Sequence, residues 1–225
     1  MNVLVVAAHP DDEVLGMGGT IAKLHDEGHK ITLLIVTDGS SAQYRGNEHL
    51  AQIIEEKKKE TKKSADILGI DNIIYGELPD MRLDATEHID VNNVIEKTVE
   101  QIDPDVVFTH FYADVNVDHQ MVYRSVLVAC RPLPGRRLKG LLLFNTPSST
   151  EWAPQQTNSV FCPNYYVDIS STSKRKYTAM QQYAAEIREY PHPRSIEYLK
   201  VNDAATGLKV GLEKAEAFMI ARYLG

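Results

Sequence analysis

The segment that most constrains the fold is a valine-rich apolar run near the start of the chain, residues 3–8. A continuous apolar run of this length is typical of a strand that is covered on both faces of a sheet. The run stops at the sequence HPDDE, where three consecutive acids, Asp11, Asp12 and Glu13, follow a histidine. Neighbouring like charges repel one another and need a counter-charge when they are buried. The sequence therefore predicts that a cation belongs at the end of this strand.

Strand-like and helix-like segments alternate along the chain. The strand-like segments are residues 3–8, 30–39, 72–80, 105–110, 138–146 and 163–170, and the helix-like segments are 14–27, 49–68, 91–102, part of 113–130, 173–189 and 208–224. This alternation predicts an α/β fold in which helices cover both faces of an open, mostly parallel sheet, which makes three layers. No linker-like tract and no repeat interrupts it, so we expect a single domain over residues 1–225.

Composition and charge narrow the class of partner. The formal net charge is −7 and 43% of the residues are hydrophobic, which fits a globular protein and disfavours binding of nucleic acid or an anionic membrane. No apolar stretch approaches the ~20 residues of a membrane-spanning helix, and the start of the chain lacks the basic region of a signal peptide. Cys130 and Cys162 are too few for a disulfide framework, so we expect both in the core and a cytoplasmic location.

Two polar loops follow predicted strands at the edge of the sheet where ligands bind, its carboxyl edge. In the first loop, His9 and Asp12 lie three residues apart on a tight turn, and an imidazole and a carboxylate are both zinc ligands. The second loop, in the sequence THFYADVNVDH, offers His119 as a third ligand and Asp118 to orient a histidine. Asp11 then stays free beside the metal, where it can take a proton from water.

Two simpler interpretations of the first loop compete with a metal site. The sequence GMGG, residues 16–19, follows a strand as in a dinucleotide-binding turn, but the full G-x-G-x-x-G spacing is absent. The acids at residues 11–13 would also repel a pyrophosphate. Alternatively one acid caps the following helix, which leaves the other two acids and the histidine unexplained.

The sequence AHPDDEVLGMGGT, residues 8–20, together with VNVDH, residues 115–119, resembles the LmbE-like family that includes the PIG-L deacetylases. The similarity extends over roughly residues 2–130 and includes TDG at 37–39 and LPD at 78–80. The resemblance implies a Rossmann-like fold. It also implies a zinc-dependent enzyme that removes N-acetyl groups from amino sugars attached to lipids, thiols, saccharides or nucleotides.

The resemblance assigns roles to individual residues. It implies that zinc is bound by His9, Asp12 and His119, with Asp11 as the general base. Glu13 and Asp118 are expected to contact these residues and orient them without binding the metal themselves. Other divalent ions stay open alternatives, because a site of nitrogen and oxygen donors admits several metals.

The chain departs from the family at the residue expected to stabilise the oxyanion. The family's second motif commonly begins with a histidine at the position of Asn116. The amide of Asn116 can donate a hydrogen bond but cannot become an imidazolium, and His110 at the end of the preceding strand is a candidate replacement. Where the family often has an arginine near the start of the charged helix, this chain has Lys57, with Arg45 a little upstream.

Further candidates for substrate binding lie in the loops and in the last third of the chain. Its sequences NTPSSTEW, FCPNYYVDIS and YPHPRS resemble a branch of the family associated with cell-surface saccharide biosynthesis. The simpler interpretation is structural: SSTEW is a capped turn with Trp152 buried in the core, and PHPRS is a connection made rigid by its prolines. The candidates for substrate contact are Arg45, Lys57, Asp80, Arg82, His192 and Arg194. His192 and Arg194 stand out, because arginine binds sugar-linked phosphates bidentately.

The predicted function is hydrolysis of the acetamide of an N-acetylated amino sugar, a small-molecule substrate, with release of acetate. An amidase acting on a sugar–thiol conjugate, a non-catalytic metal-binding protein and a nucleotide-binding module are the alternatives. The sequence identifies neither the acyl sugar nor the oligomeric state, so a homo-oligomer stays open.

Overall fold

The computed structural model describes residues 1–156 and 158–225. Its strands are β1 (Asn2–Ala7), β2 (Lys30–Thr37), β3 (Asn72–Leu78), β4 (Val106–His110), β5 (Gly140–Phe144), β6 (Tyr165–Asp168) and β7 (Ala215–Tyr223). Its helices are α1 (Asp12–Asp26), α2 (Leu50–Leu68), α3 (His88–Ile102), α4 (Val117–Ala129), α5 (Ser173–Met180) and α6 (Ile196–Leu208). None of the helices in these two stretches combines the length and the apolar composition that a bilayer crossing requires.

The seven strands form one sheet in the order β3-β2-β1-β4-β5-β7-β6. The first five strands are parallel, whereas β7 runs antiparallel to both of its neighbours, β5 and β6. The order 3-2-1-4-5 is that of a Rossmann-like sheet, and its direction reverses between β1 and β4. The α/β fold with a mostly parallel sheet and three layers is confirmed. Its topology places a crevice where the loops after β1 and β4 diverge.

The core has two halves, one on each face of the sheet. Val5 of β1 belongs to the half that is covered by α1, α2 and α5, and Val6 belongs to the half covered by α3 and α4. Both side chains are fully buried. The apolar run at residues 3–8 is therefore covered on both faces, as its composition predicts.

The helix predicted over residues 208–224 is wrong. The chain there forms β7, and α6 lies just before it. The segment AEAFMIARY pairs with β5 on one side and β6 on the other, so sheet pairing decides its conformation over a local sequence that also permits a helix. The helix predicted over 173–189 ends at Met180.

Two single-residue expectations are also wrong. Trp152 is 56% exposed, not buried, because it lies on a surface turn. Cys162 is an exposed free cysteine, whereas Cys130 is buried in the core as expected.

The glycines of GMGG serve close packing. A Cβ on Gly16 would lie 2.4 Å from the ring of Phe144, and one on Gly19 would lie 2.8 Å from Ile169. Between them the backbone of Met17 leaves the helical conformation, with φ −155° and ψ 23°. The dinucleotide-turn interpretation therefore gives way to one in which these glycines let α1 approach β5 and the segment after β6.

The break in α1 is compensated by a buried group that we call the lysine cluster, Lys176, Asp203 and Glu216. A break in a helix leaves nearby backbone amides without their usual carbonyl partners. Here the carboxylate of Glu216, on β7, accepts hydrogen bonds from two of them, the amides of Gly19 (3.0 Å) and Thr20 (2.6 Å). The ammonium of Lys176 lies 2.8 Å from Glu216 and 2.9 Å from Asp203. The cluster thus ties the helix after the first loop to the last strand.

Candidate active site

The site lies at the carboxyl ends of β1 and β4. After β1 the chain turns at Asp11, whose φ of 106° is in the region that non-glycine residues rarely adopt. Asp and Asn are the side chains that tolerate this conformation best. The amide of Asp11 donates to the carboxyl of Glu13 over 3.1 Å, and the hydroxyl of Tyr183 donates to the same carboxyl over 2.7 Å. The sequence DDE therefore encodes a strained turn with its own internal support.

The neighbouring strand end holds this turn from the side. The hydroxyl of Thr37 donates to the carbonyl of Ala8 over 2.8 Å, and Gly39 follows with φ 63°. A Cβ on Gly39 would lie 2.3 Å from the ring of Pro10. The sequence TDG thus permits close contact between the loops after β1 and β2.

Three donor atoms from the two predicted loops form a nearly equilateral triangle. Nδ1 of His9 lies 3.2 Å from Oδ2 of Asp12 and 3.2 Å from Nε2 of His119. Nε2 of His119 lies 3.3 Å from Oδ2 of Asp12. A tetrahedral zinc ion with bonds of about 2.0–2.1 Å requires donors about 3.3–3.4 Å apart. The three sides match that requirement.

The triangle also has the charge and burial that suit a divalent cation. Asp12 is fully buried, and its Oδ1 has no hydrogen-bond partner among the described residues. A buried carboxylate without a full set of partners is costly unless a cation compensates it. The residues His9, Asp12 and His119 therefore fit a divalent metal, and as a two-nitrogen, one-oxygen set they leave a coordination position for water or substrate.

His119 is oriented by Asp114, a residue that we did not predict. Oδ2 of Asp114 lies 3.2 Å from Nδ1 of His119, which leaves Nε2 to face the triangle. Asp114 in turn accepts hydrogen bonds from the hydroxyls of Ser149 and Thr150. The sequence SSTEW therefore acts on the site through Asp114. The signal in the sequence is an acid five residues before the candidate ligand His119.

Asp118, predicted to orient a histidine, contacts His9. Its Oδ2 lies 3.2 Å from Nε2 of His9, and its Oδ1 accepts the backbone amide of Leu83 over 3.0 Å. Asp80 also lies against Nε2 of His9, at 3.3 Å. Two carboxylates therefore face the ring nitrogen of His9 that points away from the triangle, an arrangement that raises the basicity of a metal ligand.

The geometry does not support His110 as a donor to a substrate carbonyl. It is fully buried, and its Nε2 accepts the backbone amide of Ala8 over 2.9 Å. Its Nδ1 lies 3.2 Å from the hydroxyl of Thr146, and its ring stacks on His119 with centroids 3.9 Å apart. Burial lowers the pKa of His110 to about 3, so the imidazole is neutral. This residue packs beneath the triangle and does not reach the cleft.

Of the three consecutive acids, Asp11 is the one that lines the cleft without being part of the triangle. It is 2% exposed, and its Oδ2 lies 3.3 Å from a guanidinium nitrogen of Arg194. Burial raises the pKa of Asp11 to about 7, although Arg194 opposes that rise. A carboxylate with a pKa near neutrality is suited to general-base catalysis.

An ion-pair network extends from Asp11 to the charged helix. Arg194 also lies 3.1 Å from Glu186, and Glu186 accepts a hydrogen bond from Lys57 over 2.8 Å. Most of the sequence EEKKKETKK is exposed or half-buried, but Lys57 is buried. Lys57 therefore fixes Glu186, and Glu186 fixes Arg194 against Asp11.

A polar cleft of about 380 Å³ opens in front of these groups. It is lined by His9, Pro10, Asp11, Gly39, Ala42, Gln43, Asp80, Met81, Asn116, Glu186 and Arg194. Asn116 caps the start of α4: its Oδ1 accepts the amide of Asp118, and its Nδ2 lies 3.5 Å from the sulfur of Met81. The cleft is in the size range of small-molecule sites.

The remaining predicted substrate contacts are not brought to the cleft wall. Arg45 and Arg82 have exposed side chains and are not among the cleft-lining residues. Lys57 lies behind Glu186. His192 packs against Trp152 and reaches the cleft only through Arg194, whose backbone amide it accepts over 3.1 Å.

The fold and the site define a class of α/β protein that holds a two-histidine, one-carboxylate centre with an acid beside it. A model of the family PIG-L, GlcNAc-PI de-N-acetylase, matches residues 4–130, which include all four of these residues. The chain belongs to this family. PIG-L deacetylases are metal-dependent hydrolases of amide bonds.

Individual relatives agree with this assignment. The chain is 30% identical to YaiS, an uncharacterized deacetylase of Escherichia coli, over 78% of this chain and 90% of that protein. It is 28% identical to the diacetylchitobiose deacetylase of Thermococcus kodakarensis over 84% of this chain and 71% of that protein. The fold is similar to that of the conserved protein TT1542 from Thermus thermophilus, with a TM-score of 0.76, 27% identity and coverage of 99% and 96% of the two chains.

Proposed function

We propose that this protein is a zinc-dependent N-deacetylase that hydrolyses the acetamide of an amino sugar or amino-sugar conjugate. The observation that carries the proposal is the triangle of His9, Asp12 and His119 with the buried carboxylate of Asp11 beside it in an open cleft. The names of several relatives support the same chemistry, among them a deacetylase of an N-acetylated disaccharide, although one relative that is 27% identical is a hydratase.

The proposed chemistry divides between the metal and the chain. His9, Asp12 and His119 would hold a divalent ion, which would supply Lewis-acid activation of water and of the amide carbonyl. Asp11 accepts the proton of the attacking water and then delivers it to the departing amine. Arg194 holds the carboxylate of Asp11 in place by its 3.3 Å contact. The products are acetate and the free amino sugar.

Asn116 is the proposed donor to the substrate carbonyl. Asn116 belongs to the cleft lining, its Oδ1 accepts the amide of Asp118, and its Nδ2 lies 3.5 Å from the sulfur of Met81, another residue of the lining. An amide hydrogen bond aimed at the developing oxyanion takes the role that a histidine has in the family's common motif. His110 is not used, because Nε2 of its ring already accepts the amide of Ala8.

The test is release of acetate and of free amine from a panel of N-acetylated amino sugars and sugar–thiol conjugates. Protein stripped of metal and reloaded with zinc, cobalt or magnesium provides the control for metal identity. We expect turnover of an N-acetylated sugar by the zinc-loaded protein and none by the stripped protein. Turnover restricted to the thiol conjugates would favour the amidase alternative, and loss of all turnover after reloading would contradict the proposal.

Three further expectations from the sequence belong to this proposal. A cytoplasmic location is supported by two cysteines that stay unpaired, as is usual in reducing compartments. A homo-oligomeric state and a role in surface-saccharide biosynthesis stay predictions. Sedimentation analysis tests the first of these two, and the glycan composition of a deletion strain tests the second.

A further inference from the structure

Four cationic side chains surround a cavity at the edge of the sheet opposite to the active site. The cavity has a volume of about 270 Å³ and its lining includes Arg131, Arg136, Lys139 and Arg222, with no acid among the described residues of the lining. We call this cavity the arginine pocket. Because the whole chain has a formal net charge of −7, such a lining differs from the average of the molecule. A concave site with an excess of one charge sign attracts ligands of the opposite sign.

The register of the sheet separates the arginine pocket from the proposed metal site. Gly140, in the lining, is the first residue of β5 and pairs with Val106, the first residue of β4. His110, which packs beneath the metal triangle, is the last residue of β4 and pairs with Phe144. Since β4 and β5 are parallel, the pocket lies at the amino edge of the sheet and the cleft at the carboxyl edge. A ligand can therefore occupy the pocket while a substrate occupies the cleft.

Hydrogen bonds to the backbone hold the walls of the pocket together. The walls come from the loop after α4, the start of β5 and the end of β7. The amide of Leu224 donates to the carbonyl of Lys139 over 2.8 Å, and the guanidinium of Arg222 donates to the carbonyl of Cys130 over 2.6 Å. These bonds tie the end of β7 to the residues at the two ends of the loop, so they form the frame in which the cations are placed.

Two of the four cations have acidic partners at the border of the pocket. The guanidinium of Arg131 lies 3.5 Å from Glu96, and that of Arg136 lies 3.7 Å from Glu100. In each pair one side chain is largely exposed. Exposed ion pairs contribute little free energy, so these acids compete weakly with an anion inside the pocket.

The other two cations, Lys139 and Arg222, form no ion pair with an acid in the parts of the chain that the structure describes. Asp105 accepts the backbone amide of Lys139 with its carbonyl, but its carboxylate lies 3.4 Å from Arg137, which is outside the lining. The guanidinium of Arg222 has five N–H donors, and the bond to Cys130 uses one nitrogen. Donors on both residues are therefore available to an anion.

The rest of the lining is apolar. Its other side chains are those of Pro132, Leu133, Pro134, Leu138, Leu141 and Leu224. Sites for inorganic phosphate are typically formed by backbone amides, whereas this surface suits the apolar body of an organic anion. Guanidinium groups also stack on aromatic rings. The volume of about 270 Å³ is just below the range of about 300–1,000 Å³ for drug-sized ligands, which matches one ring system with its charged groups at the rim.

We propose that the arginine pocket binds an organic phosphate of the nucleotide type, with its aromatic base on the apolar lining and a diphosphate between the cations. A diphosphate carries more negative charge than one carboxylate, and forked guanidinium groups match phosphate oxygens in pairs. The site is separate from the glycines at residues 16–19, for which the dinucleotide-turn interpretation gave way. It is also independent of the proposed deacetylase activity.

Calorimetry of the zinc-loaded protein with ADP and with its two parts tests the class of ligand. Inorganic pyrophosphate carries the charge alone, and adenosine carries the aromatic ring alone. We expect ADP to bind at least about tenfold more tightly than either part, because ADP uses both the cations and the apolar lining. Added salt should weaken the binding of ADP and leave that of adenosine unchanged, since salt screens exposed charges.

Variants that remove one charge test the position of the site. Arg222→Gln and Lys139→Gln should each weaken ADP binding by about tenfold, the effect of one hydrogen bond to a charged group. Lys139 is exposed, so its variant keeps the test valid if Arg222→Gln folds poorly after losing the contact to Cys130. Lys174→Gln, on the exposed face of α5, is the matched control and should bind ADP like wild type. His119→Ala should also bind ADP like wild type, because the pocket lies at the opposite edge of the sheet.

Three results would overturn the proposal. ADP binding that is lost in His119→Ala but kept in Arg222→Gln and Lys139→Gln would place the nucleotide at the metal site. Pyrophosphate or adenosine that binds as tightly as ADP would contradict the class of ligand. No binding of ADP to wild-type protein would exclude the site. Each of these results leaves the deacetylase proposal intact, because acetate release is measured separately.

Discussion

The lysine cluster and the acids of the first loop are both buried groups of charged side chains, and their charges are compensated in different ways. In the lysine cluster, Lys176 lies between Asp203 and Glu216, while Tyr177 and two backbone amides occupy the remaining oxygens. In the first loop, Oδ1 of Asp12 has no hydrogen-bond partner among the described residues, whereas Oδ2 of Asp11 lies 3.3 Å from the guanidinium of Arg194. One group is satisfied within the chain. The other leaves one oxygen of the buried Asp12 without a partner from the described chain, which is the difference we expect between a structural cluster and a metal-binding one.

Asp11→Asn tests the part of the first loop that does not hold the cation. We expect kcat on an N-acetylated sugar to fall by about 10²–10⁴-fold, the range for loss of a general base. Zinc content and thermal midpoint should not change, because asparagine tolerates the positive φ of Asp11. Asp66→Asn, on the exposed face of α2, is the matched control. Near-normal turnover in Asp11→Asn would exclude Asp11 as the base.

Lys176→Met tests the lysine cluster. Removing the ammonium leaves Asp203 and Glu216 buried without their cation, which costs about 3–5 kcal/mol of unfolding free energy. Denaturant unfolding measures this loss, and Lys174→Met, two residues away and exposed, is the control. A loss below about 1 kcal/mol, the typical effect of an ordinary substitution, would show that the cluster is not a stabilising centre.

Zinc addition distinguishes the two groups within one molecule. Free zinc at 100 to 1,000 times its dissociation constant should raise the unfolding free energy by about 2.7–4.1 kcal/mol. Lys176→Met should keep this increment, because its cluster holds no metal, whereas His119→Ala should lose it. An equal increment in His119→Ala and wild type would place the ion elsewhere.

Asp114→Asn gives the smallest of these effects. An outer partner that orients a ligand histidine typically contributes 10–100-fold to metal affinity. We therefore expect zinc to bind about 10–100-fold more weakly, as measured by competition with a chromophoric chelator. Asp118→Asn, which changes the contact to His9, provides the comparison. No loss of affinity in Asp114→Asn would mean that Ser149 and Thr150 do not act through this carboxylate.

Local patterns predict the first half of the chain well. The apolar run at residues 3–8, the acids after it and the strand–helix alternation all follow from local composition, because a parallel strand is buried on both faces and must be apolar throughout. The histidines His9 and His119 could be placed at one edge, since the carboxyl ends of parallel strands meet there.

Long-range pairing explains what the sequence did not reveal. Residues 215–223 form a strand because β5 and β6 flank them, and no local pattern records that. Asp114 reaches its hydroxyl partners 35 and 36 positions further along the chain, so its role could not be inferred from the loop alone. The simpler interpretation of SSTEW as a capped turn placed Trp152 in the core, but the turn lies at the surface and leaves its side chain 56% exposed.

The support that Glu216 gives to α1 has a consequence for how this protein is made. Glu216 bonds to amides 197 and 196 positions earlier, in the helix that begins with Asp12. During translation those amides therefore have no access to their hydrogen-bond partner until nearly all of the polypeptide has left the ribosome. A nascent or truncated chain that stops short of Glu216 should contain every proposed metal ligand and still lack a finished first helix.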